Sequence, residues 1–264
     1  MGVINVTPDS FSDGGAFYRG RRLDVGAVQA HALQLVADGA ALLDIGGEST
    51  RPGAAPVAAD EERARVLPVI AALADLRVPL SVDTSDPYLM SAAIDLGAAV
   101  INDVRALSRA GALEAVARSQ VGVCLMHMQG SPEHMQQAPS YADVVTEVRD
   151  FLARRVERCR DAGIADRRML VDPGFGFGKS REHNLTLLRR LGELQSLGLP
   201  LLVGLSRKGT IGLITGQTDA RLRIAGSVAA AILAAQAGAK LIRAHDVRAT
   251  VDALKVVAAV ADAQ

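Results

Sequence analysis

Residues that can bind or react with a ligand recur where short apolar runs of the chain end. Asp83, Asn102 and Asp172 each close or follow such a run. A carboxylate at a buried strand end is unfavourable unless it is paired or binds something. Two carboxylates and an amide around one opening suit a flat heterocycle with amino and ring N–H donors. Taken singly, each could instead cap a helix or bond to loop backbone, so the prediction of a binding site depends on the three together.

Cationic residues follow two later apolar runs. Ser206, Arg207 and Lys208 come directly after the run 201–205, and Arg243 and His245 come at the end of the last run. A lone surface cation is usually solvated, but helix starts after late strands commonly bind phosphate groups. We therefore expect a bound anion here, with His245 donating a hydrogen bond to a phosphate or leaving group.

A metal, if one is used, is expected to arrive with the substrate. Asn5 ends the first apolar run, and its amide oxygen is a hard, neutral ligand suited to Mg²⁺ held mainly by phosphates and water. No cluster of carboxylates forms a dedicated metal cage, and His31, His127, His134 and His183 lack the spacing of a zinc site.

The glycine-rich segment 172–179 (Asp-Pro-Gly-Phe-Gly-Phe-Gly-Lys) resembles a P-loop only superficially. Pro173 stands where a Walker A motif needs glycine, and the spacing of a dinucleotide-binding fingerprint is also missing. We expect the glycines to keep this loop thin beside a flat ligand. Phe175 and Phe177 could each contact that ligand or pack in the core, and the sequence leaves both alternatives open.

The elements that must position these residues alternate between strand-like and helix-like patterns. Apolar runs predict strands at 2–6, 42–45, 80–82, 100–102, 121–126, 169–171, 201–205 and 241–243. Amphipathic runs predict helices near 24–39, 60–75, 87–97, 109–118, 141–162, 183–197, 221–238 and 247–262. Continuous apolar strands indicate a parallel sheet covered on both faces. The count of eight favours a closed α/β (β/α)₈ TIM barrel over a doubly wound open sheet.

Length and composition agree with one domain, residues 1–264. The chain has 264 residues, with 29 Lys plus Arg against 29 Asp plus Glu, so no polyanionic partner such as nucleic acid is indicated. The most apolar stretch, 226–239, is too short to cross a membrane. No signal peptide is visible, and Cys124 and Cys159 are expected to be buried free thiols in a reducing cytoplasm. The long loops 7–22 and 46–59 are expected to act as lids.

Eight motifs, in this order along the chain, resemble those of bacterial dihydropteroate synthases. They are Asn-Val-Thr-Pro-Asp-Ser-Phe-Ser-Asp-Gly-Gly, Asp-Ile-Gly-Gly-Glu-Ser-Thr-Arg-Pro-Gly, Ser-Val-Asp-Thr, Ile-Asn-Asp-Val, Leu-Met-His-Met-Gln-Gly, Asp-Pro-Gly-Phe-Gly-Phe-Gly-Lys, Leu-Ser-Arg-Lys and Ile-Arg-Ala-His-Asp-Val. The resemblance implies a transferase of folate biosynthesis and sulfonamide target, usually dimeric. It condenses 6-hydroxymethyl-7,8-dihydropterin diphosphate with p-aminobenzoate and releases pyrophosphate.

The resemblance also implies a role for each matching residue. Pterin diphosphate would be bound by Thr50, Asp83, Asn102, Met126, Asp172, Lys208, Arg243 and His245, of which Asp83, Asp172, Lys208 and Arg243 are the catalytic set. p-Aminobenzoate would be bound by Thr50, Arg51, Pro52, Phe177 and Ser206. Asn5 would reach the Mg²⁺ cofactor. The loops containing Phe11, Asp13 and Ser49 to Pro52 would close over a cationic pterin and exclude water.

Two departures and two alternatives accompany this interpretation. Relatives usually carry a segment before the first strand, which this sequence lacks. They often have a serine where Gly209 stands, and the backbone N–H of Gly209, or Thr210, would then bind p-aminobenzoate instead.

A methyltetrahydrofolate:corrinoid methyltransferase barrel would also bind a pterin, but it would not need the diphosphate cations. A catalytically silent homologue would bind pterin or a partner, although its loops would be expected to have lost their polar set.

Overall fold

The structure is a computed structural model that describes residues 1–8, 17–20, 22–49 and 53–263. Five residues with predicted roles lie outside the described residues: Phe11, Asp13, Thr50, Arg51 and Pro52. Their roles remain predictions. The first long loop ends in a short antiparallel hairpin, in which Tyr18–Arg19 pairs with Arg22–Leu23. The sequence pattern did not predict this hairpin.

The strands form a closed parallel barrel, as the sequence predicted. They are β1 (Gly2–Asn5), β2 (Leu43–Gly46), β3 (Leu80–Asp83), β4 (Val100–Asp103), β5 (Gly122–Met126), β6 (Met169–Asp172), β7 (Leu202–Val203) and β8 (Leu241–Ile242). Strands β1 to β6 pair in sequence order, and β7 pairs with β8. Parallel bridges from Val171 to Leu201 and from Gly2 to Ala244 join the two sheets at both edges. The fold is therefore a single (β/α)₈ barrel.

Helices follow the strands on the outside of the barrel. They are α1 (Val25–Ala37), α2 (Ala59–Leu73), α3 (Pro87–Asp95), α4 (Ala112–Ala117), α5 (Val144–Asp161), α6 (Arg181–Arg189), α7 (Gly209–Thr215), α8 (Ile224–Gln236) and α9 (Val247–Ala261). Short α7 was not predicted from the sequence, and it precedes the helix that covers β7. The predicted helix at 183–197 is two elements, because α6 ends at Arg189 and a 3₁₀ helix, Leu191–Leu197, continues the chain. Among the described residues, no helix is both long and apolar enough to cross a membrane.

Alternation along the strands separates two apolar cores. Leu43, Val123 and Val171 belong to the large core between the sheet and the helices. Their neighbours in the sequence point the other way, as the strand period requires. A second cluster inside the barrel contains Met1, Leu42, Cys124 and Leu202, packed with Leu170 and Leu241. This cluster fills the lower interior, so only the carboxyl ends of the strands remain available to build a site.

Two aspartates that precede helices behave differently. Asp86 caps α3, because its carboxylate accepts hydrogen bonds from the backbone N–H groups of Tyr88 and Leu89. Asp246 stands directly before α9 but its side chain does not cap it. Its carboxylate instead accepts two hydrogen bonds from Arg207, at 3.0 and 2.6 Å.

Candidate active site

A cavity of about 500 Å³ lies at the carboxyl ends of the strands. Every predicted site residue in the described part of the chain lines it: Asn5, Asp83, Asn102, Met126, Asp172, Phe177, Ser206, Lys208, Arg243 and His245. Seven strands or the loops after them supply these residues. Closure of the barrel is what brings them together, because parallel strands all end at the same side of the sheet.

One wall of the cavity is a buried cluster of Asp44, Asp83 and Arg243. The Arg243 guanidinium donates through Nε to Asp44 Oδ2 at 2.6 Å and through Nη2 to Asp83 Oδ2 at 3.3 Å. Asp44 is fully buried, and it also accepts from the Ser81 hydroxyl at 2.6 Å. Its position in the middle of β2 makes Asp44 the anchor of the cluster, because its carboxylate contacts side chains from three other strands.

Asn102 is oriented by the same anchor. Its Nδ2 donates to Asp44 Oδ2 at 3.2 Å, which leaves Oδ1 buried and without a hydrogen-bond partner in the described residues. A buried, unsatisfied acceptor is unfavourable. Since Asn102 lines the cavity, Oδ1 is the atom of this amide that remains to accept from a ligand.

The environment of Asp83 favours its protonated form. Burial and the nearby Asp44 carboxylate raise the pKa of Asp83 and Arg243 opposes both, with a net pKa of about 8. One guanidinium carries one positive charge, so it cannot neutralise two ionised carboxylates. Asp83 is therefore able to donate a hydrogen bond at neutral pH as well as to accept one.

The opposite wall is built around Asp172 at the end of β6. Its carboxylate accepts from the backbone N–H of Gly174 at 2.7 Å. Burial raises the pKa of Asp172, and the positive charge of Lys208 opposes that rise. Burial in turn lowers the pKa of Lys208 to about 8, against the attraction of Asp172. Lys208 Nζ lies 4.5 Å from the ring centroid of Phe177, within cation–π distance.

Two of the three glycines of segment 172–179 allow close packing of the loop, whereas Gly176 lines the cavity; that they keep the loop thin beside a flat ligand remains a prediction. A Cβ at Gly174 would lie 1.9 Å from the carbonyl oxygen of His127, and one at Gly178 would lie 2.3 Å from that of Gln129. Both contacts are with the loop after β5. The two phenylalanines also separate, because Phe175 is 1% exposed in the core whereas Phe177 lines the cavity.

The loops after β7 and β8 are joined at the rim of the cavity. The Ser206 hydroxyl accepts from the backbone N–H of His245 at 3.1 Å and lies at the same distance from His245 Nδ1. Arg207 sits at a φ of 60°, an uncommon conformation for a residue with a side chain, and its ion pair with Asp246 links the two loops. Ser206, Lys208 and His245 thus face the cavity from a tied pair of loops.

Sequence reasoning missed three residues of this arrangement: Asp44, Ser81 and Lys179. A signal was present for Asp44, since a carboxylate inside the apolar run Leu43-Asp44-Ile45 must have a buried partner. Ser81 carried no comparable signal. Lys179 was examined only as part of a P-loop motif. In the structure it lines the cavity and is 2% exposed.

The donor set fits a magnesium ion carried by a phosphate ligand better than a resident metal. Among the described residues, no group of three or more His, Cys, Asp and Glu side chains could hold a metal ion. Asn5 offers an amide oxygen at the cavity, on the side of β1. One neutral oxygen suits Mg²⁺ that keeps its other ligands from substrate and water.

Comparisons with known proteins agree with this geometry. The model of the pterin binding enzyme family matches residues 1–245. Dihydropteroate synthase of Escherichia coli K12 is 50% identical over 100% of this chain and 92% of its own length. The enzyme of Neisseria meningitidis serogroup C is 53% identical over 97% of this chain and 90% of its own.

Solved structures show the same likeness. Yersinia pestis dihydropteroate synthase in a sulfonamide drug complex has a TM-score of 0.95 and 49% identity, covering 99% of this chain and 94% of that one. The Xanthomonas albilineans enzyme in complex with 7,8-dihydropteroate has a TM-score of 0.88 and 52% identity, covering 100% and 93%. The chain therefore belongs to the pterin binding enzyme family, among the dihydropteroate synthases.

Proposed function

We infer that this protein condenses 6-hydroxymethyl-7,8-dihydropterin diphosphate with p-aminobenzoate, giving 7,8-dihydropteroate and pyrophosphate. The observation that carries this inference is a single cavity with acceptors for a pterin on its walls and cations at its rim. Relatives about half identical to this chain are dihydropteroate synthases, and solved relatives hold 4-aminobenzoic acid or 7,8-dihydropteroate.

The pterin is proposed to bind between the two walls. Asp172 would accept hydrogen bonds from the amino group and a ring N–H, since its charge is balanced by Lys208. Asn102 Oδ1 would accept another, because this buried atom otherwise has no partner among the described residues. Met126 would form an apolar surface against the ring, and Arg243 would stack on it after exchanging part of its contact with Asp83.

The reaction breaks the bond between the pterin methylene carbon and the diphosphate oxygen, whose electron pair leaves with pyrophosphate. The amine nitrogen of p-aminobenzoate then bonds to that carbon and loses a proton. Asp172 would stabilise positive charge on the pterin, Asp83 would hydrogen-bond to the ring in its protonated form, and Arg243, His245 and Lys208 would stabilise the leaving group. Mg²⁺ bound with the diphosphate, with Asn5 as a ligand, would add further charge neutralisation.

p-Aminobenzoate is proposed to bind beside Phe177 and Ser206, at the rim of the cavity. Thr50, Arg51 and Pro52 would complete this pocket, and Phe11 and Asp13 would cover it. Because that pocket includes groups that also contact diphosphate, binding should be ordered. p-Aminobenzoate or a sulfonamide should bind about 5- to 150-fold more tightly once Mg²⁺ and pyrophosphate are present. Titration calorimetry with and without Mg²⁺-pyrophosphate measures this factor, and equal affinities would contradict the ordered scheme.

A homodimer is proposed from the surface of α8 and α9. Helix α8 contains no charged residue over its 13 positions, and Leu233 on it is 54% exposed. Val256 and Val260 on α9 are 64% and 71% exposed. Exposed apolar side chains on neighbouring helices are a feature of many interfaces. Replacing Leu233 and Val256 with glutamate should give a monomer in analytical ultracentrifugation, and an unchanged sedimentation coefficient would exclude this face.

We also propose that the protein works in the cytoplasm. Cys124 and Cys159 are both buried free thiols, which agrees with a reducing compartment.

The decisive experiment is an assay of pyrophosphate release. Release that requires p-aminobenzoate supports the proposed reaction. A methyltransferase-like barrel or a silent homologue would bind the pterin without releasing pyrophosphate in response to p-aminobenzoate. The variant with Lys255→Met, a change on the exposed side of α9, is the control for general effects of substitution.

A further inference from the structure

Lys179 is a buried cation that the proposed reaction does not yet use. It ends the glycine-rich segment 172–179 and is 2% exposed. Its Nζ lies 2.9 Å from His127 Nδ1, 3.0 Å from the carbonyl oxygen of Gly174 and 3.1 Å from that of Phe177. An ammonium group has three N–H donors, so each donor has one acceptor. Burial lowers the pKa of Lys179 well below its ordinary value, but this complete set of acceptors and the charge of Asp172 favour the ammonium form.

These three bonds hold the loop after β6 in one conformation. Two of the acceptors, the carbonyls of Gly174 and Phe177, belong to the loop itself. The third, His127, lies at the end of β5, and its backbone N–H donates to the carbonyl of Asp172 at 2.9 Å. The His127 ring also packs edge-on against Phe151, with ring centroids 4.9 Å apart. Lys179 therefore joins the residue that faces the cavity, Phe177, to the strand next to Asp172.

The tautomer of His127 follows from this contact. An ammonium group cannot accept a hydrogen bond, so Nδ1 must accept, and the ring proton must be on Nε2. Burial, together with the charge of Lys179, lowers the pKa of His127 to about 3. A neutral imidazole is thus the form that completes the set of acceptors around Lys179 Nζ.

Lys179 also acts on the charge of Asp172. The ionisable groups that act on this carboxylate are Lys208 from the loop after β7, Arg243 from β8, the Cys124 thiol from β5 and Lys179 from its own loop. Burial raises the pKa of Asp172, and the three cations oppose it. All three cations line the cavity. Within the described residues Lys208 uses one N–H donor, on the carbonyl of Phe175, and Arg243 uses two, on Asp44 and Asp83. Lys179 differs, because its three donors are already committed to the protein.

We propose that Lys179 is a positioning residue for the pterin and p-aminobenzoate sites, holding Phe177 in place and acting as a counter-cation of Asp172 from the loop after β6. This proposal rests on the function inferred above. A lysine that only stabilised the fold would affect unfolding but would leave the pH dependence of pterin binding unchanged. A counter-cation of Asp172 must affect that pH dependence.

The test compares Lys179→Met, Lys179→Arg and the exposed control Lys240→Met. The probe is 6-hydroxymethyl-7,8-dihydropterin, and its Kd is measured by calorimetry across the acid range. Protonation of Asp172 should weaken binding at low pH. Loss of the Lys179 charge raises the pKa of Asp172. The pH at which binding is half lost on acidification, the acid midpoint, should therefore be about one pH unit higher in Lys179→Met than in wild type. Below that pH the Kd of the variant should be about 10-fold higher than that of wild type. Lys179→Arg keeps the charge and should keep the wild-type midpoint, and Lys240→Met should match wild type.

A second variant keeps the test decisive if Lys179→Met does not fold. His127→Gln replaces the ring acceptor but leaves the lysine charge in place. It should keep the acid midpoint and weaken p-aminobenzoate binding in the presence of Mg²⁺-pyrophosphate, because Phe177 is held less firmly. An unchanged acid midpoint in folded Lys179→Met, or a midpoint that moves equally in Lys179→Arg, overturns the proposal. Failure of wild type to release pyrophosphate in response to p-aminobenzoate would instead overturn the proposed function.

Discussion

The two walls of the cavity use the same residue types in opposite ratios. On one wall, two carboxylates, Asp44 and Asp83, share the single cation of Arg243. On the other wall, one carboxylate, Asp172, faces the charges of two lysines, Lys179 and Lys208. Both aspartates that line the cavity end a strand; Asp172 is buried, and the side chain of Asp83 is 14% exposed. Burial raises the pKa of both, and their neighbours make the difference, because the carboxylate of Asp44 raises the pKa of Asp83 further whereas the lysines oppose the rise at Asp172.

This difference gives each wall its own chemistry. With Asp83 protonated, the first wall combines one negative and one positive charge, whereas the second combines one negative and two positive charges. The second wall therefore favours an anionic substrate, and Asp172 remains a charged acceptor for a pterin. The first wall can supply a proton donor from Asp83 and an acceptor from Asn102. Whether a strand-end aspartate donates or accepts a hydrogen bond therefore depends on the charges around it.

The largest expected effect comes from removing the cation of the first wall. Arg243→Met leaves Asp44 fully buried without its guanidinium partner, and breaking one side of a buried ion pair costs about 3–5 kcal/mol of unfolding free energy. The exposed pair of Arg248 and Asp252 on α9, 2.9 Å apart, provides the control. Arg248→Met should change the unfolding free energy by only about 0–1 kcal/mol. Chemical denaturation measures both, and equal losses would mean that the first wall does not depend on its cation.

The next effect concerns the acceptor of the second wall. Asp172→Asn keeps the shape of the side chain but loses charge-assisted hydrogen bonds worth about 1.5–3 kcal/mol, or roughly 10- to 200-fold in kcat/KM. The variant should still fold, which circular dichroism can check. Steady-state kinetics with both substrates provides the measurement. Unchanged kinetics would give Asp172 a purely structural role.

The effect that is smallest per pH unit distinguishes the walls by their pH dependence. The pKa of Asp83 is raised to about 8 in the folded protein, so the folded state holds a proton that the unfolded chain has lost. Its contribution to stability is complete below the unfolded pKa of about 4 and is lost as the pH rises through 8. Over that window the unfolding free energy of wild type should fall relative to Asp83→Asn by up to about 1.4 kcal/mol per pH unit.

The control for this pH effect is the matching change on the other wall. The cations around Asp172 restrain the rise of its pKa, so Asp172→Asn should give a flatter difference from wild type over the same window. Denaturation curves at several pH values compare the two variants. Identical slopes would show that the different charge ratios of the two walls do not set the protonation of their aspartates.

Much of the fold and of the site could be predicted from the sequence. Apolar runs and amphipathic segments located all eight strands and their covering helices, because strand and helix periods are local properties of the chain. The same pattern placed Asp83, Asn102 and Asp172 at strand ends, and parallel strands that close into a barrel must end on one side. Short α7 was missed because its apolar sequence follows a strand without a helical period, and the hairpin at Tyr18–Arg19 because its strands have only two residues each.

For the strand-end residues Asp83, Asn102 and Asp172, the sequence by itself determined that they reach one end of the barrel, because position along a strand sets both the face and the end at which a side chain lies. Only the tertiary structure decided what those residues do to one another. Asp44 and Arg243 are 199 positions apart in the chain, and Lys179 meets His127 across 52 positions. Burial, ion pairing and hydrogen bonding depend on distances in space, so the protonation of Asp83 and the committed donors of Lys179 exist only in the closed barrel.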